Sequence, residues 1–157
     1  MLDELRELYQ EVILDHGKHP RNFHVLEDAN HSAHGYNPMC GDTLVVYLKL
    51  DEGGIVRDCA FKGKGCAISM ASASMMTEIL KGKTLDEAKA LFERFHAMCT
   101  GDAPPAPSAS GNFDPDDLEH LEVLSGVREF PVRVKCATLA WHTMTAAMEG
   151  QKEVSTE

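Results

Sequence analysis

The feature that most constrains the fold is a pair of strand-like segments joined by a short turn. Residues 43–50 are rich in β-branched and aromatic residues, residues 51–54 carry two glycines, and residues 55–61 alternate between two faces. This pattern predicts an antiparallel β-hairpin. The start of the first strand then lies beside the end of the second. The hairpin therefore brings residues 40–42 next to residues 63–66.

Three cysteines lie at the ends of predicted elements. Cys40 precedes the first strand of the hairpin, and Cys66 follows the second strand at the start of a helical stretch. Unpaired N–H groups at a helix start stabilise a thiolate, so we expect a lowered thiol pKa for Cys66. Cys136 lies just before the last predicted helix, over residues 136–148. We expect these three thiols and the carboxylate of Asp42 to form one site.

The other segments predict helices before and after the hairpin in the sequence. Helical spacing of apolar residues predicts a helix over residues 2–15, and small residues predict another over 67–80. Thr84 and Glu87 form a capping box at the start of the next helix. Pro131 favours an extended segment before the last helix. This order predicts an α+β domain, with helices packed on one face of a small antiparallel sheet.

The boundaries predict a single domain over residues 1–149, followed by a disordered tail over residues 150–157. Residues 23–38 show no clear period, so we expect mostly loop with at most one short edge strand. Residues 101–111 form a loop rich in proline and glycine. The segment 114–126 begins with Asp-Pro and ends with Ser-Gly, which predicts a short helix.

Composition excludes several classes of function. The net charge of −10 would repel a phosphate backbone, and only 6% of residues are aromatic, so nucleic-acid binding is not expected. No apolar run approaches the roughly 20 residues that span a bilayer. The acidic N-terminus does not resemble a signal peptide, so we expect a cytoplasmic protein. In that compartment, the five cysteines favour metal ligands or reactive thiols over disulfides.

Three thiolates and one carboxylate make a four-coordinate metal site. Soft thiolates select zinc, Cu(I) or iron in iron–sulfur clusters, and four protein ligands resemble a structural zinc site. The oxygen ligand, Asp42, should exchange more readily than sulfur, which suits a site that opens. Arg133 and Lys135 flank Cys136 and make the local field positive, which attracts anions such as sulfide or persulfide.

Simpler interpretations of the same residues remain open. Three ordinary thiols at positions 40, 66 and 136 are the alternative to a metal or persulfide site, and Asp42 is also a common turn residue. Cys59 and Cys99 lie on apolar faces, so we expect them in the core. His31 and His34 are near enough in sequence to reach a metal, although loop roles are more common for such residues.

The motifs that carry these residues resemble the IscU/SufU family of iron–sulfur cluster assembly proteins, which includes the NifU N-terminal domain. They are Asn37-Pro38-Met39-Cys40-Gly41-Asp42, the segment from Gly63 to Ser74, and Arg133-Val134-Lys135-Cys136-Ala137. The Asp15-His16 pair and the Pro20-Arg21-Asn22 loop are also similar. The resemblance implies a three-stranded sheet with helices packed on it. It also implies that zinc or a nascent [2Fe–2S] cluster is bound by Cys40, Asp42, Cys66 and Cys136.

Within this family the sequence is more similar to the SufU branch. The 70 positions between Cys66 and Cys136 are more than in IscU-type proteins, and residues 101–125 resemble the loop and short helix inserted in SufU. Lys135 stands where IscU-type proteins carry histidine. Residues 130–134, Phe-Pro-Val-Arg-Val, differ from the segment that IscU offers to its Hsp70-type chaperone. The SufU branch is associated with zinc-dependent sulfur transfer, and the IscU branch with scaffolding.

The resemblance therefore implies a cysteine desulfurase and apo iron–sulfur proteins as partners, with three hypotheses for function. A scaffold would hold a cluster and release it through Asp42. A zinc-dependent sulfurtransferase would free one thiolate, with Cys136 as the candidate persulfide acceptor. A structural zinc module would have neither activity. Local charge suggests the desulfurase contacts, at residues 18–21 and 133–135. A cysteine hydrolase is disfavoured because no histidine partner is evident, and a homo-oligomer is compatible with the sequence.

Overall fold

The structure, a computed structural model, describes residues 3–101 and 115–155. Its α-helices are α1 (Asp3–Lys18), α2 (Ala67–Leu80), α3 (Leu85–Thr100), α4 (Pro115–Leu121) and α5 (Pro131–Met148). A 3-10 helix, Glu122–Glu129, joins the last two. The strands are β1 (His31–Asn37), β2 (Asp42–Leu50), β3 (Val56–Lys64) and β4 (Glu153–Ser155). The predicted α+β class is therefore confirmed.

The predicted hairpin is formed by β2 and β3, which pair antiparallel from Thr43 opposite Lys64 to Leu50 opposite Val56. A register shift at Lys49 and Leu50 interrupts the alternation that the sequence suggested. The second strand continues through Gly63, which has a φ of 141°. A Cβ there would overlap the backbone oxygen of Thr43, so only glycine allows β3 to extend to the site.

The sheet has four strands in the order β3-β2-β1-β4, and this corrects the expected three-stranded antiparallel sheet. The segment 23–38, expected to be mostly loop with at most one short edge strand, contains the seven-residue β1, which lies inside the sheet between β2 and β4. The segment 150–157, expected to be disordered, contains β4, which pairs in parallel with β1. β1 is mostly polar and β4 has only three residues, so neither sequence shows an apolar alternation. Pairing with neighbouring strands fixes them instead.

The helices cover one face of the sheet. Alternate residues of β2 are buried beneath them, and these are Asp42, Leu44, Val46, Leu48 and Leu50. Trp141 of α5 lies at the centre of this core, where its indole Nε1 donates a hydrogen bond to Ser72 of α2 at 3.2 Å. The small residues of α2 permit this close approach between the two helices. The two helices that carry Cys66 and Cys136 are therefore packed against each other.

Three helix boundaries differ from the prediction. α1, expected to end at residue 15, continues to Lys18. Pro131 is the first residue of α5 instead of part of an extended segment, because proline needs no N–H partner at that position. The short helix after the proline-rich segment ends at Leu121 and continues as the 3-10 helix. The capping box of Thr84 and Glu87 is confirmed. Gly101, the first residue of the predicted loop, is the C-cap of α3. The rest of that loop, residues 102–111, and Asp114 at the predicted start of the short helix lie outside the described residues.

Within the described ranges, no helix is long and apolar enough to cross a membrane.

Candidate metal centre

Cys40 lies in the tight turn between β1 and β2. The backbone carbonyl of Asn37 accepts hydrogen bonds from the N–H groups of Cys40, at 3.3 Å, and Gly41, at 2.9 Å. Gly41 has a φ of 73°, in the left-handed region that glycine adopts without strain. Residue Cys40 is exposed, and its sulfur lies at the inner edge of the turn, 3.3 Å from the buried sulfur of Cys136. The turn therefore places Cys40 at the surface of the site.

Asp42 is the first residue of β2, and its side chain is only 2% exposed. Its Oδ1 atom accepts a hydrogen bond of 3.0 Å from the backbone N–H of Cys66. A Cβ at position 65 would lie 2.9 Å from the same oxygen, so Gly65 allows the carboxylate to come this close. The hairpin thus joins the Cys40 turn to the start of α2, as the sequence predicted.

Cys66 is the N-cap residue of α2, one position before the first turn. Its thiol accepts a hydrogen bond from the backbone N–H of Ser69 at 3.5 Å, and its side chain is partly exposed. The backbone of Cys66 contacts Asp42, but its sulfur lies outside the most closely spaced group of donor atoms. The predicted position at a helix N-terminus is therefore confirmed to within one residue.

Cys136 lies in the second turn of α5 and is fully buried, although the sequence placed it at the start of the helix. Its Sγ atom is 3.3 Å from the Sγ atom of Cys40. Burial raises the pKa of the Cys136 thiol, and hydrogen bonds with Cys40 and Asp42 raise it further. This sulfur therefore holds its proton tightly unless a cation binds beside it.

Three potential metal-ligand atoms lie close together between the Cys40 turn, the start of β2 and α5. One donor atom from each of Cys40, Asp42 and Cys136 lies within 4.8 Å of the others. Tetrahedral zinc, with bonds of about 2.3 Å to sulfur and 2.1 Å to oxygen, requires ligand atoms about 3.6–3.8 Å apart. The three donor types suit a single zinc or iron ion. The two sulfur atoms are 3.3 Å apart and would separate by about 0.5 Å on binding one tetrahedral ion. Cys66, which is hydrogen-bonded to Asp42, is the candidate for the fourth donor.

The two flanking cations differ in position. Arg133 is exposed, and its pKa is raised first by the charge of Cys66 and then by a hydrogen bond with Cys136. Its guanidinium therefore faces the thiols. Lys135 lines a neighbouring cavity of about 490 Å³ together with His96 and His142. Of the two, Arg133 is the residue that the structure brings to the site.

The remaining cysteines and the proposed histidines lie elsewhere. Cys59 and Cys99 are buried in the core, and burial raises the pKa of each to about 12. The expectation that both are core residues is confirmed. His31 and His34 make hydrogen bonds to nearby residues of the chain and are not part of the donor group found in the described ranges.

The basic loop after α1 is attached to α2. The backbone N–H of Arg21 donates to Ser74 Oγ at 2.8 Å, and the same hydroxyl contacts His16 Nδ1 at 2.8 Å. The Arg21 guanidinium also pairs with Asp15 at 2.6 Å. These contacts explain the Asp15-His16 and Arg21 motifs as parts of a packing network that fixes α1 against α2.

Asn37 is a site residue that sequence reasoning did not identify. Its side chain is buried, and its Nδ2 atom lies 3.2 Å from Asp42 Oδ2 and 3.4 Å from Cys136 Sγ. The sequence signal was an asparagine before a proline at the end of a strand. That pattern is typical of a turn, so it did not distinguish a buried side chain from an exposed one.

A family model and individual relatives all match this chain to the same family. The family model for the NifU-like N terminal domain matches residues 8–137. The chain is 45% identical over 140 residues to the zinc-dependent sulfurtransferase SufU of Bacillus subtilis, covering 89% of this chain and 88% of that protein. It is 40% identical over 148 residues to the iron–sulfur cluster assembly scaffold protein IscU of Streptococcus pyogenes, covering 94% and 87%.

A solved structure has the same fold. The crystal structure of a putative iron–sulfur cluster assembly scaffold protein for the SUF system, from Fervidobacterium islandicum, aligns with a TM-score of 0.77 at 33% identity. The alignment covers 91% of this chain and 98% of that one. From these matches, the chain belongs to the family of NifU-like N-terminal domains, the IscU/SufU family.

Proposed function

We propose that this protein accepts persulfide sulfur from a cysteine desulfurase during iron–sulfur cluster assembly, with zinc bound at Cys40, Asp42, Cys66 and Cys136. The observation that carries the proposal is the convergence of two thiols and a carboxylate within 4.8 Å at the open end of the hairpin. The similarity to SufU, named a zinc-dependent sulfurtransferase, supports the choice of zinc. Bound zinc keeps its cysteine ligands deprotonated at neutral pH.

Accessibility favours Cys40 as the thiol that receives sulfur. Cys136 was the candidate from sequence, but its side chain is 0% exposed, whereas Cys40 is exposed in a turn. The thiolate of Cys40 attacks the outer sulfur of the desulfurase persulfide. The sulfur–sulfur bond of that persulfide breaks, its electron pair stays on the desulfurase cysteine as thiolate, and Cys40 becomes the persulfide.

The surroundings of Cys40 support docking of a protein that carries an anionic persulfide. Arg133 faces the thiols and offers a positive charge to the incoming sulfur anion. Met39 and Val132, next in sequence to two site residues, and Phe130 are large apolar side chains that are 45–65% exposed. Such residues are typical of interaction surfaces. We therefore place the desulfurase on this end of the sheet.

The proposal implies two further features. Because sulfur acceptance needs reduced thiols, we assign the protein to the cytoplasm. Because a persulfide on Cys40 must be passed on, the recipients are apo iron–sulfur proteins or a separate scaffold. The alternative that this protein itself holds the cluster is favoured by its similarity to proteins named IscU scaffolds. In that alternative, the four candidate ligands would be divided between the two irons of a cluster instead of all binding one zinc ion.

The test combines metal analysis with desulfurase turnover. The protein is purified without oxygen, and its zinc content and absorption spectrum are measured before and after incubation with desulfurase, cysteine and ferrous iron. Zinc that persists while turnover rises supports the proposal. Replacement of zinc by a cluster that then passes to an apo-ferredoxin supports the scaffold. Tight zinc with neither effect would leave only a structural metal module.

A pair of cysteine variants assigns the acceptor. Cys40→Ser is expected to abolish the gain in turnover and the persulfide detected by mass spectrometry. Cys99→Ala, which removes a core thiol far from the turn, is the matched control and is expected to retain both. Persulfide that forms normally on Cys40→Ser would return the acceptor role to Cys136 or Cys66.

A further inference from the structure

Asn37 contacts three of the four candidate ligand residues. Its backbone carbonyl accepts the N–H of Cys40 at 3.3 Å and closes the turn that presents that thiol. Its side-chain Nδ2 lies 3.2 Å from Asp42 Oδ2 and 3.4 Å from Cys136 Sγ. Asn37 also faces Asp42 directly in the pairing of β1 with β2. Among the described residues, Asn37 is the one whose side chain donates to both the Asp42 carboxylate and the buried Cys136 sulfur.

The chemistry of the amide matches these two neighbours. An amide NH₂ has two N–H donors, which is the number needed for one bond to a carboxylate and one to a sulfur. The opposite orientation would place the carbonyl oxygen against the Asp42 carboxylate and repel it. Asn37 is 0% exposed, so water cannot replace these donors. Its Oδ1 atom is buried without a partner, so the donor side of the amide is the side that is used.

We propose that Asn37 is the positioning residue of the metal centre, and that its two N–H bonds hold Asp42 and Cys136 in the geometry that retains the metal. The inference rests on the proposed function, since it requires a metal at this site. Donation of N–H bonds stabilises the anionic forms of both ligands. It also limits the rotation of Asp42, whose other oxygen is held by the N–H of Cys66.

The consequence is control over how easily Asp42 leaves the metal. Its two oxygens are each fixed by a hydrogen bond from a different element, β1 through Asn37 and the start of α2 through Cys66. Loss of the Asn37 donors frees one oxygen of Asp42 and removes one N–H bond from the buried Cys136 sulfur. Residues that orient metal ligands in this way commonly change metal affinity about 10–100-fold when mutated.

The test compares zinc release from three variants in the presence of an excess of a chromogenic chelator. Asn37→Ala is expected to release zinc at least 10-fold faster than the wild type. Asn37→Asp keeps the size of the side chain but replaces the NH₂ donor with oxygen, and it is expected to release zinc at least as fast. Asn30→Ala is the control, because Asn30 makes two hydrogen bonds to the backbone of Leu50, in a purely structural role.

The outcomes separate the possibilities. Fast release from both Asn37 variants, with a wild-type rate for Asn30→Ala, supports positioning by N–H donation. Fast release from Asn37→Ala but not from Asn37→Asp would show that filling space suffices and would overturn the proposal. Equal rates in all proteins would also overturn it. A wild-type protein that binds no zinc would instead refute the proposed function.

Two spectroscopic measurements are independent of activity. In the cobalt-substituted protein, the sulfur-to-cobalt charge-transfer band is expected at lower energy in Asn37→Ala, because the sulfur lone pairs lose an N–H bond. In the cadmium-113-loaded wild type, one side-chain amide proton of Asn37 is expected to couple to the metal through Cys136 sulfur. That second measurement needs no variant to fold, and absence of the coupling would contradict the proposal.

Discussion

Replacement of Asp42 tests whether its carboxylate organises the site as well as completing it. The Oδ1 atom accepts the partly buried N–H of Cys66, and Oδ2 accepts an N–H of Asn37. Asp42→Ala removes both acceptors. Asp42→Asn retains one oxygen for Cys66, loses the bond to Asn37, and is also uncharged. The pair of variants therefore isolates the hydrogen bond that joins β2 to the start of α2.

The expected difference in stability between the two variants follows from the hydrogen bond between the Cys66 N–H and Asp42 Oδ1. A buried N–H left without an acceptor costs about 1–3 kcal/mol. For a chain of this length, each kcal/mol shifts the unfolding midpoint by roughly 2–4 °C. Because the Cys66 N–H is only partly buried, we take the lower end of this range, about 1 kcal/mol. The metal-free Asp42→Ala protein is then expected to unfold about 2–4 °C below metal-free Asp42→Asn. Both variants are expected to release zinc faster than the wild type, because each lacks the anionic oxygen ligand.

The assay is thermal unfolding followed by circular dichroism, with chelator and reductant present so that every protein is metal-free. Zinc release is measured separately. Two metal-free variants with the same midpoint would refute the reasoning, since the Cys66 contact would then contribute nothing. A higher midpoint for Asp42→Ala would show that burial of polar groups at position 42 outweighs their hydrogen bonds.

Three further predictions follow from the charges and burial of named groups. At pH 8 a thiol reagent is expected to leave Cys59 and Cys99 unmodified in the folded protein, since each has a pKa of about 12, and to modify them after denaturation. Burial lowers the pKa of His16 below 6.5, so its neutral form favours the fold and stability falls as the pH drops through 6.5. His16→Gln is therefore expected to lose less stability between pH 6.5 and 5 in urea titrations. Arg133→Ala is expected to lower desulfurase stimulation at least threefold, with an unfolding midpoint within about 2 °C of the wild type, because the side chain is exposed.

Local patterns predicted the parts of the fold that carry strong periodicity. The hairpin of β2 and β3 has β-branched residues around a glycine turn, and its geometry predicted that Asp42 meets the start of α2. The capping box at Thr84 specified the start of α3. In each case neighbouring residues along the chain contain the whole signal.

Elements fixed by distant contacts were not predicted. β1 is mostly polar and β4 has three residues, and pairing in the sheet is what makes them strands. The start of α5 was misplaced because proline is compatible with both an extended segment and a first helical turn. As a consequence, Cys136 was expected at a helix end, whereas it lies one turn further in and is buried.

The sequence by itself determined the ligand types, the hairpin that joins Cys40 and Asp42 to Cys66, and the family resemblance, because these reside in contiguous motifs. Only the tertiary structure decided which thiol is accessible and which is buried, since exposure depends on how α5 packs on the sheet. It also decided the role of Asn37. Its contact with Cys136 joins residues 99 positions apart, and no local pattern encodes a hydrogen bond across that separation.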